Sequence, residues 1–477
     1  MHDDTIAAIA TPLGEGGLAV VRISGPEAFA VADKVFLPTG KSSLKPSAAP
    51  THTIHYGKII RPARSFAPNG GEGRGEGEPE MIDEVLLSVL RAPRTFTRED
   101  TVEISCHGGL LPAKLVLDTI LENDARLAEP GEFTRRAFLN GRLDLAQAEA
   151  VADLIHSRTE LALAAANEQL AGKLSQRINQ LRDEMIKTLA HVEAHIDFPD
   201  EDIAPETRAQ LIQRLENGAA FMDELLRTAN EGQILRRGIR TAIIGRPNAG
   251  KSSLLNQLLG HDRAIVSHIA GTTRDTIEET ANIRGLPVVF IDTAGLREAQ
   301  DEIEVEGIRR SRETLAKAEL ILHVLDASEP LTPADEMHLA EFAGKKRILV
   351  RNKTDLPVQL FFSQSSGIQP SASSIMDVCC LTGQGMEALK DAIKNLVWAG
   401  KIEAGMLQVM INSRHQEALG RARVATLEAI AALRADVTLE LVALDLHIAV
   451  AAVGEIVGKT ATDDLLDSIF SQFCLGK

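Results

Sequence analysis

The sequence predicts an α/β protein joined to an all-α part, and three observations carry that reading. Short apolar runs separated by turns fill the first 140 or so residues, among them GLAVVRIS (Gly17–Ser24), DEVLLSVL (Asp83–Leu90) and TVEISC (Thr101–Cys106). Helical periodicity rich in Ala, Leu, Glu and Gln then takes over, and it returns near the C-terminus. Between these helical stretches, strands and helices alternate as in a mainly parallel sheet. The expected organisation is an N-terminal α/β domain (1–141), a first helical segment (142–235), an inserted phosphate-binding domain (236–397) and a second helical segment with a short tail (398–477). A chain of 477 residues fits about three domains.

Composition narrows the function. At 44% hydrophobic residues the chain can bury ordinary cores, and its net charge of −16 argues against a broad nucleic-acid-coating surface. A local basic patch for RNA stays compatible with that charge. Aromatics make up 3%, which speaks against a base-stacking platform. Cys106, Cys379, Cys380 and Cys474 show no metal-ligand spacing, and the adjacent pair is a poor disulfide, so a reducing, cytoplasmic setting is expected. The start lacks a basic n-region and a long apolar core. The most apolar stretch, Leu441–Gly458, contains Asp445 and His447 and reads as a buried helix, so no membrane partner is expected. NGGEGRGEGEPE (Asn69–Glu80) reads as a loop, and DFPDEDIAPE (Asp197–Glu206) separates helices.

The segment GRPNAGKSS follows an apolar strand and opens a helix, the context a P-loop requires. Its glycines, Gly245 and Gly250, let backbone N–H groups turn toward phosphate oxygens. Asn248, Ala249, Gly250, Lys251, Ser252 and Ser253 are therefore assigned to nucleotide phosphates, with Lys251 on the β- and γ-phosphates and Ser252 on Mg²⁺. VVFIDTAG ends a second strand in an acid. Asp292, Thr293, Ala294 and Gly295 belong to the γ-phosphate side, and Asp292 reaches Mg²⁺ through water. Thr272 and Thr273 lie in GTTRDT between these motifs, with Thr273 placed to complete the Mg²⁺ shell.

The base is read by NKTD. Asp355 accepts hydrogen bonds from guanine N1–H and its 2-amino group, donors that adenine lacks, so GTP is the expected nucleotide. Asn352 and Lys353 accompany it, and CCLTG (Cys379, Cys380, Leu381) takes the place of the guanine-backing loop, where Ser-Ala is usual. Three motifs in this order define a Ras-like P-loop G domain. The position where Ras-like enzymes carry a water-orienting glutamine is Leu296, so another group must act. Arg297 and the acids Glu298, Asp301, Glu302, Glu304 and Glu306 stand in switch II, and a solvated helix face explains those acids equally well from spacing. Asn248 offers an oxygen near the β/γ-phosphates, where a bound monovalent cation would do an arginine's electrostatic work.

The whole order resembles one family, the MnmE (TrmE) tRNA-modification GTPases of bacteria and organelles. The resemblance rests on TPLGEGGLAVVRISG, EISCHGG, GEFTRRAFLNGRLDLAQAEAVADLI, the G motifs GRPNAGKSS, IAGTTRD, DTAGLRE and NKTD, and the terminal CLGK. It implies an N-terminal tetrahydrofolate-binding domain that also makes the homodimer, a discontinuous helical domain, and G domains that pair in a potassium-dependent way. It further implies work with an FAD-dependent, MnmG-type partner in a heterotetramer, adding an aminomethyl-type group to C5 of the wobble uridine of tRNA. Residue by residue, Asn248, Ser267, Ile269 and Thr272 fall at the K⁺ positions, and Glu304 at the acid that orients hydrolytic water through a second water. Arg22, Glu103, Arg142 and Lys477 fall at the folate contacts, with Arg142 suited to a folate glutamate or a pterin oxygen. Cys474 reads as a frayed end on its own spacing, and Leu475-Gly476-Lys477 behind it fit prenylation badly. The resemblance instead turns the tail inward to the folate, with Cys474 as nucleophile or proton-transfer group. The alternative reading is a regulatory or ribosome-assembly GTPase. HVEAH (His191–His195) puts two histidines on one helix face, with no third ligand evident.

Overall fold

A computed structural model describes residues 4–40, 44–61, 80–197, 205–260, 278–291, 316–341, 344–361, 373–398 and 410–477. They form two compact units, one of residues 4–149 with 457–477 and one within 150–456.

The first unit is built on seven strands: β1 (Ile6–Ile9), β2 (Leu18–Ser24), β3 (Phe36–Pro38), β4 (Thr53–Arg61), β5 (Glu80–Leu90), β6 (Thr101–His107) and β7 (Arg126–Leu127). Their order is β3-β4-β5-β6-β2-β1-β7, antiparallel apart from the β1–β7 pair. The alternation of β6 explains the layering. Val102, Ile104 and Cys106 are buried, while Glu103, Ser105 and His107 point to the opposite face. The helices Ala28–Val35 and Leu110–Leu121 cover the apolar face and share its core. The other face carries Arg22 of β2 directly opposite Glu103 of β6. The three strands expected at 17–24, 83–90 and 101–106 are β2, β5 and β6.

The second unit contains β8 (Ile239–Ile244), β9 (Glu279–Ile283), β10 (Leu286–Phe290), β11 (Leu320–Asp326), β12 (Lys346–Asn352) and β13 (Ser373–Asp377). The order β13-β12-β11-β8-β10-β9, with only the β9–β10 pair antiparallel, is that of Ras-like G domains. All seven positions of β11 are buried, as a parallel strand covered on both faces requires. Long helices at Lys173–Asp197, Pro205–Arg227, Ser413–Arg434 and Leu439–Ile456 form the helical part of this unit. Along the first of them Leu174, Ile178, Leu181, Met185, Leu189 and Val192 recur at three- and four-residue spacing and are buried. Leu189, Val192, Leu211 and Leu215 share one core with Ile430, Leu433, Val442 and Leu446, so helices on both sides of the sheet segment in the sequence pack together. The stretch expected to be a buried helix forms the helix Leu439–Ile456, but only one face is buried, at Val442, Leu446 and Val453, while Leu441, Leu444 and Ile448 are exposed, and among the described residues no helix is long and apolar enough to cross a membrane.

Residues 457–477 pack in the first unit instead of with the helices before them. Gly458, at φ +80, lies where a Cβ would come within 2.7 Å of the Phe138 ring. The helix Asp463–Phe470 then stacks Phe470 between Phe138 and Phe473.

Candidate functional site

The phosphate end of the nucleotide site is a turn that only small residues allow. β8 ends at Ile244, and the helix Lys251–Leu259 starts directly after Gly250. Gly245 has φ +145, and a Cβ there would sit 2.2 Å from the Val324 carbonyl oxygen. Gly250 has φ +97, and a Cβ there would sit 2.1 Å from Asn352 Nδ2. Asn248 takes a left-handed conformation at φ +63, which Asn tolerates better than most side chains. Lys251 Nζ donates to the carbonyl oxygens of Gly245 and Arg246, both at 2.9 Å. Burial pushes its ammonium below the usual lysine range. A half-buried cation on a cradle of backbone groups at a helix N-terminus is complementary to phosphate oxygens. Ala249 is buried beneath this turn, and Ser252 and Ser253 line the pocket from the first helical turn.

The base end is tied to the phosphate end through Asn352, the last residue of β12. Its Nδ2 donates to the Ala249 carbonyl at 2.9 Å, and its Oδ1 accepts from the Cys380 backbone N–H at 3.1 Å. Asp355 lines the same pocket, and the Cys379 thiol donates to its Oδ1 at 3.2 Å. Cys379 thus does what a serine hydroxyl would do at that position, with a weaker donor. Cys380 faces the core, and burial raises its thiol to about 11. Leu381 is exposed at the pocket edge. One partner was missed from sequence. Lys353 Nζ binds Asp326 Oδ2 at 2.6 Å. Burial opposes the Asp326 carboxylate, yet the bonds from Lys353 and Ser328 outweigh it and hold its pKa low. An acid ending a fully buried parallel strand was the available signal.

Ser267, Ile269, Thr272, Thr273, Asp292, Thr293, Ala294, Gly295, Arg297 and Glu304 lie outside the described residues.

In the first unit, Arg22, Glu103, Lys477 and Cys474 are brought together. Arg22 Nε donates to Glu103 Oε1 at 2.8 Å and its NH1 to the Gly476 carbonyl at 3.3 Å. Lys477 is half-buried; burial and Arg22 push its ammonium down, while Glu103 and Cys474 pull the other way. Cys474 is exposed, with its carbonyl accepting from the backbone N–H groups of Gly131 (3.4 Å) and Lys477 (3.3 Å). Arg142 donates to the Thr95 carbonyl at 2.8 Å and stacks 5.0 Å above Phe96. Phe96 packs against the small core of Ile6, Ala8, Ala128 and Phe133, and Arg22 lies 5.6 Å over the fully buried Phe133 ring. Arg22 and Arg142 thus each sit over a phenylalanine, Phe133 within one small core and Phe96 packed against it, contacts that no motif announces.

Cys106 is buried, its thiol pushed up to about 11 by burial. His191 and His195 face each other with Nε2 atoms 3.3 Å apart, and no group of three metal-type ligands occurs among the described residues.

Comparison with known proteins covers the whole chain. The family model for the GTP-binding protein TrmE N-terminus matches residues 5–142, and that for the MnmE helical domain matches residues 145–474. The tRNA modification GTPase MnmE of Geobacillus kaustophilus (strain HTA426) is 47% identical over 475 residues, covering 99% of each chain. That of Geobacillus thermodenitrificans (strain NG80-2) is 48% identical over 476 residues with the same coverage. That of Listeria innocua serovar 6a is 47% identical over 478 residues, the full length of both.

Proposed function

This chain belongs to the MnmE family of tRNA modification GTPases, and from that premise we propose that it acts with an FAD-dependent, MnmG-type partner to modify the wobble uridine of tRNA. The product is an aminomethyl or carboxymethylaminomethyl group on C5, and the one-carbon unit comes from a tetrahydrofolate. The observation that carries this reading is the position of the C-terminal tail. It sets the exposed Cys474 and the half-buried Lys477 beside the Arg22–Glu103 pair on one sheet face. A GTPase acting only in regulation or ribosome assembly has no use for such an arrangement.

In this reading GTP binds between the P-loop and Asp355. Ser252 and Thr273 would hold Mg²⁺, which would supply charge to offset the phosphate oxygens. Asn248, with Ser267, Ile269 and Thr272, would hold K⁺, whose charge would do an arginine's electrostatic work, and Glu304 orients the attacking water with Arg297 nearby. The chain works as a homodimer whose G domains pair during hydrolysis. Its proposed domains are 1–141 (folate and dimer), 142–235 with 398–477 (helical) and 236–397 (G domain).

Mass spectrometry of wobble uridines from cells lacking this protein tests the proposal. Loss of the C5 group is expected, and Cys474→Ser is expected to fail to restore it while keeping GTP hydrolysis intact. Normal modification in the deletion strain would refute the proposal. Normal modification in the Ser variant would remove only the role of Cys474.

A further inference from the structure

We propose that Arg98 and Arg142 form a fork for the carboxylates at the glutamate end of the folate, which gives Arg98 a binding role that no motif assigns. This rests on the folate reading above. Arg98 NH1 donates to the Asn140 carbonyl at 2.9 Å, and Arg142 NH1 donates to the Thr95 carbonyl at 2.8 Å. Both acceptors are neutral backbone groups. Among the described residues neither guanidinium forms an ion pair with a carboxylate. The two are close enough that Arg98 adds to burial in pushing Arg142 below the usual arginine range. Two like charges held side by side with no acid between them repel, and an anion placed there relieves that repulsion.

The fork is also held in place. Arg98 has φ +60, a backbone conformation uncommon for a side chain that is neither Gly nor Asn. The loop around it is fixed by Thr95 Oγ1 donating to the Glu99 carbonyl at 2.7 Å and by a hydroxyl pair between Thr97 and Ser24, also at 2.7 Å. Gly141, at φ +68, brings the chain close under Arg98 NH1.

Charge then orients the ligand. Arg22, over the buried Phe133 ring, is already paired with Glu103. There Glu103 offers an acceptor to the N–H donors of a heterocycle, with Lys477 beside it. Arg142, stacked on Phe96, stands with Arg98, and among the described residues neither pairs with a carboxylate. That pair suits the two carboxylates of a glutamate, with guanidinium forks matched to their geometry.

Isothermal titration of the full-length protein with 5-formyltetrahydrofolate and with its glutamate-free counterpart, 5-formyltetrahydropteroate, tests the fork. Arg98→Ala is expected to weaken the folate about tenfold and the pteroate less than about twofold, with Arg98→Lys recovering part of the loss. Arg22→Ala is expected to weaken both. Equal effects of Arg98→Ala on the two ligands, or none on either, would overturn the fork while leaving the folate reading in place. Binding of neither ligand by the unaltered protein would overturn both.

Discussion

Asn352 and Gly250 sit so close that their substitutions should not add. Gly250→Ala would put a Cβ 2.1 Å from Asn352 Nδ2. Asn352 must then swing away and give up its 2.9 Å bond to the Ala249 carbonyl. Losing that buried bond costs about 1–3 kcal/mol, and a Cβ at φ +97 adds about 1–2 kcal/mol. The single change should therefore weaken GTP by about 3 kcal/mol, roughly 150-fold. Asn352→Ala removes the same bond and also leaves the Cys380 N–H without its acceptor, again about 3 kcal/mol. Independent effects would sum to about 6 kcal/mol. With Asn352 already gone, however, the alanine at 250 meets no side chain, and only its backbone cost remains. The double variant should lose about 4–5 kcal/mol, a coupling of about 1–2 kcal/mol. Titration of a fluorescent GTP analogue against the four proteins gives the cycle directly. Additivity within about 0.5 kcal/mol would show that Asn352 does not hold the P-loop as the geometry requires.

Further outcomes are expected at sites with other chemistry. Burial works against the Glu132 carboxylate, but bonds from Arg126, the Glu129 N–H and Arg136 outweigh it and hold its pKa below the usual 4.5. A lowered folded-state pKa gives stability that is present above the unfolded value and is lost as pH falls through the folded one. Glu132→Gln should thus cost about 3 kcal/mol at pH 7 and flatten the acid limb of the stability curve below about pH 4.5, as urea unfolding at several pH values would read. An acid limb as steep as in the unaltered protein would assign that pH dependence to other groups. GTP hydrolysis should be faster in K⁺ than in Na⁺, and Asn248→Ala should blunt that difference more than it weakens GTP; equal rates in the two salts would remove the cation. Glu304→Ala should slow hydrolysis roughly ten- to thousand-fold with GTP affinity nearly unchanged, the signature of a group acting in the transition state, whereas parallel losses would make Glu304 structural.

The parts legible in the sequence are those whose chemistry is local. A P-loop declares itself because its glycines, lysine and serine are consecutive, and β6 because Val102, Ile104 and Cys106 alternate with polar residues. What stayed hidden depends on long-range approach. Nothing in GEFTRRAFL says that Arg136 would be almost wholly buried, bonded to Asp4 and Glu132 and facing Glu99. Charged residues are ordinarily placed outside, and only partners distant in sequence reverse that. The Lys353–Asp326 pair stays hidden for the same reason. The helical texture after residue 398 runs on to the C-terminus, and Gly458 and the phenylalanines at 138, 470 and 473 pack its last part in the first unit. Periodicity reports which face of a helix is apolar, and not which core it joins.

The tail shows how much can rest on two glycines. A chain end is normally frayed, because few contacts repay its ordering. Here Gly476 lies where a Cβ would be 2.3 Å from the Ile9 carbonyl oxygen, and Gly131 where a Cβ would be 2.5 Å from the Phe470 carbonyl oxygen. Both have positive φ, so the close approach and the turn need the same residue type. Phe473 anchors the segment by burial, while Cys474 and Leu475 stay exposed. Backbone contact on both sides of Cys474 thus fixes the main chain and leaves the thiol open. That is the arrangement a terminal nucleophile or proton carrier needs, since it must be positioned without being enclosed. GTP hydrolysis draws on a different unit, with its own sheet and its own loops. A change confined to the tail should therefore silence uridine modification and leave the G domain's rate untouched, the separation that the Cys474→Ser variant reads.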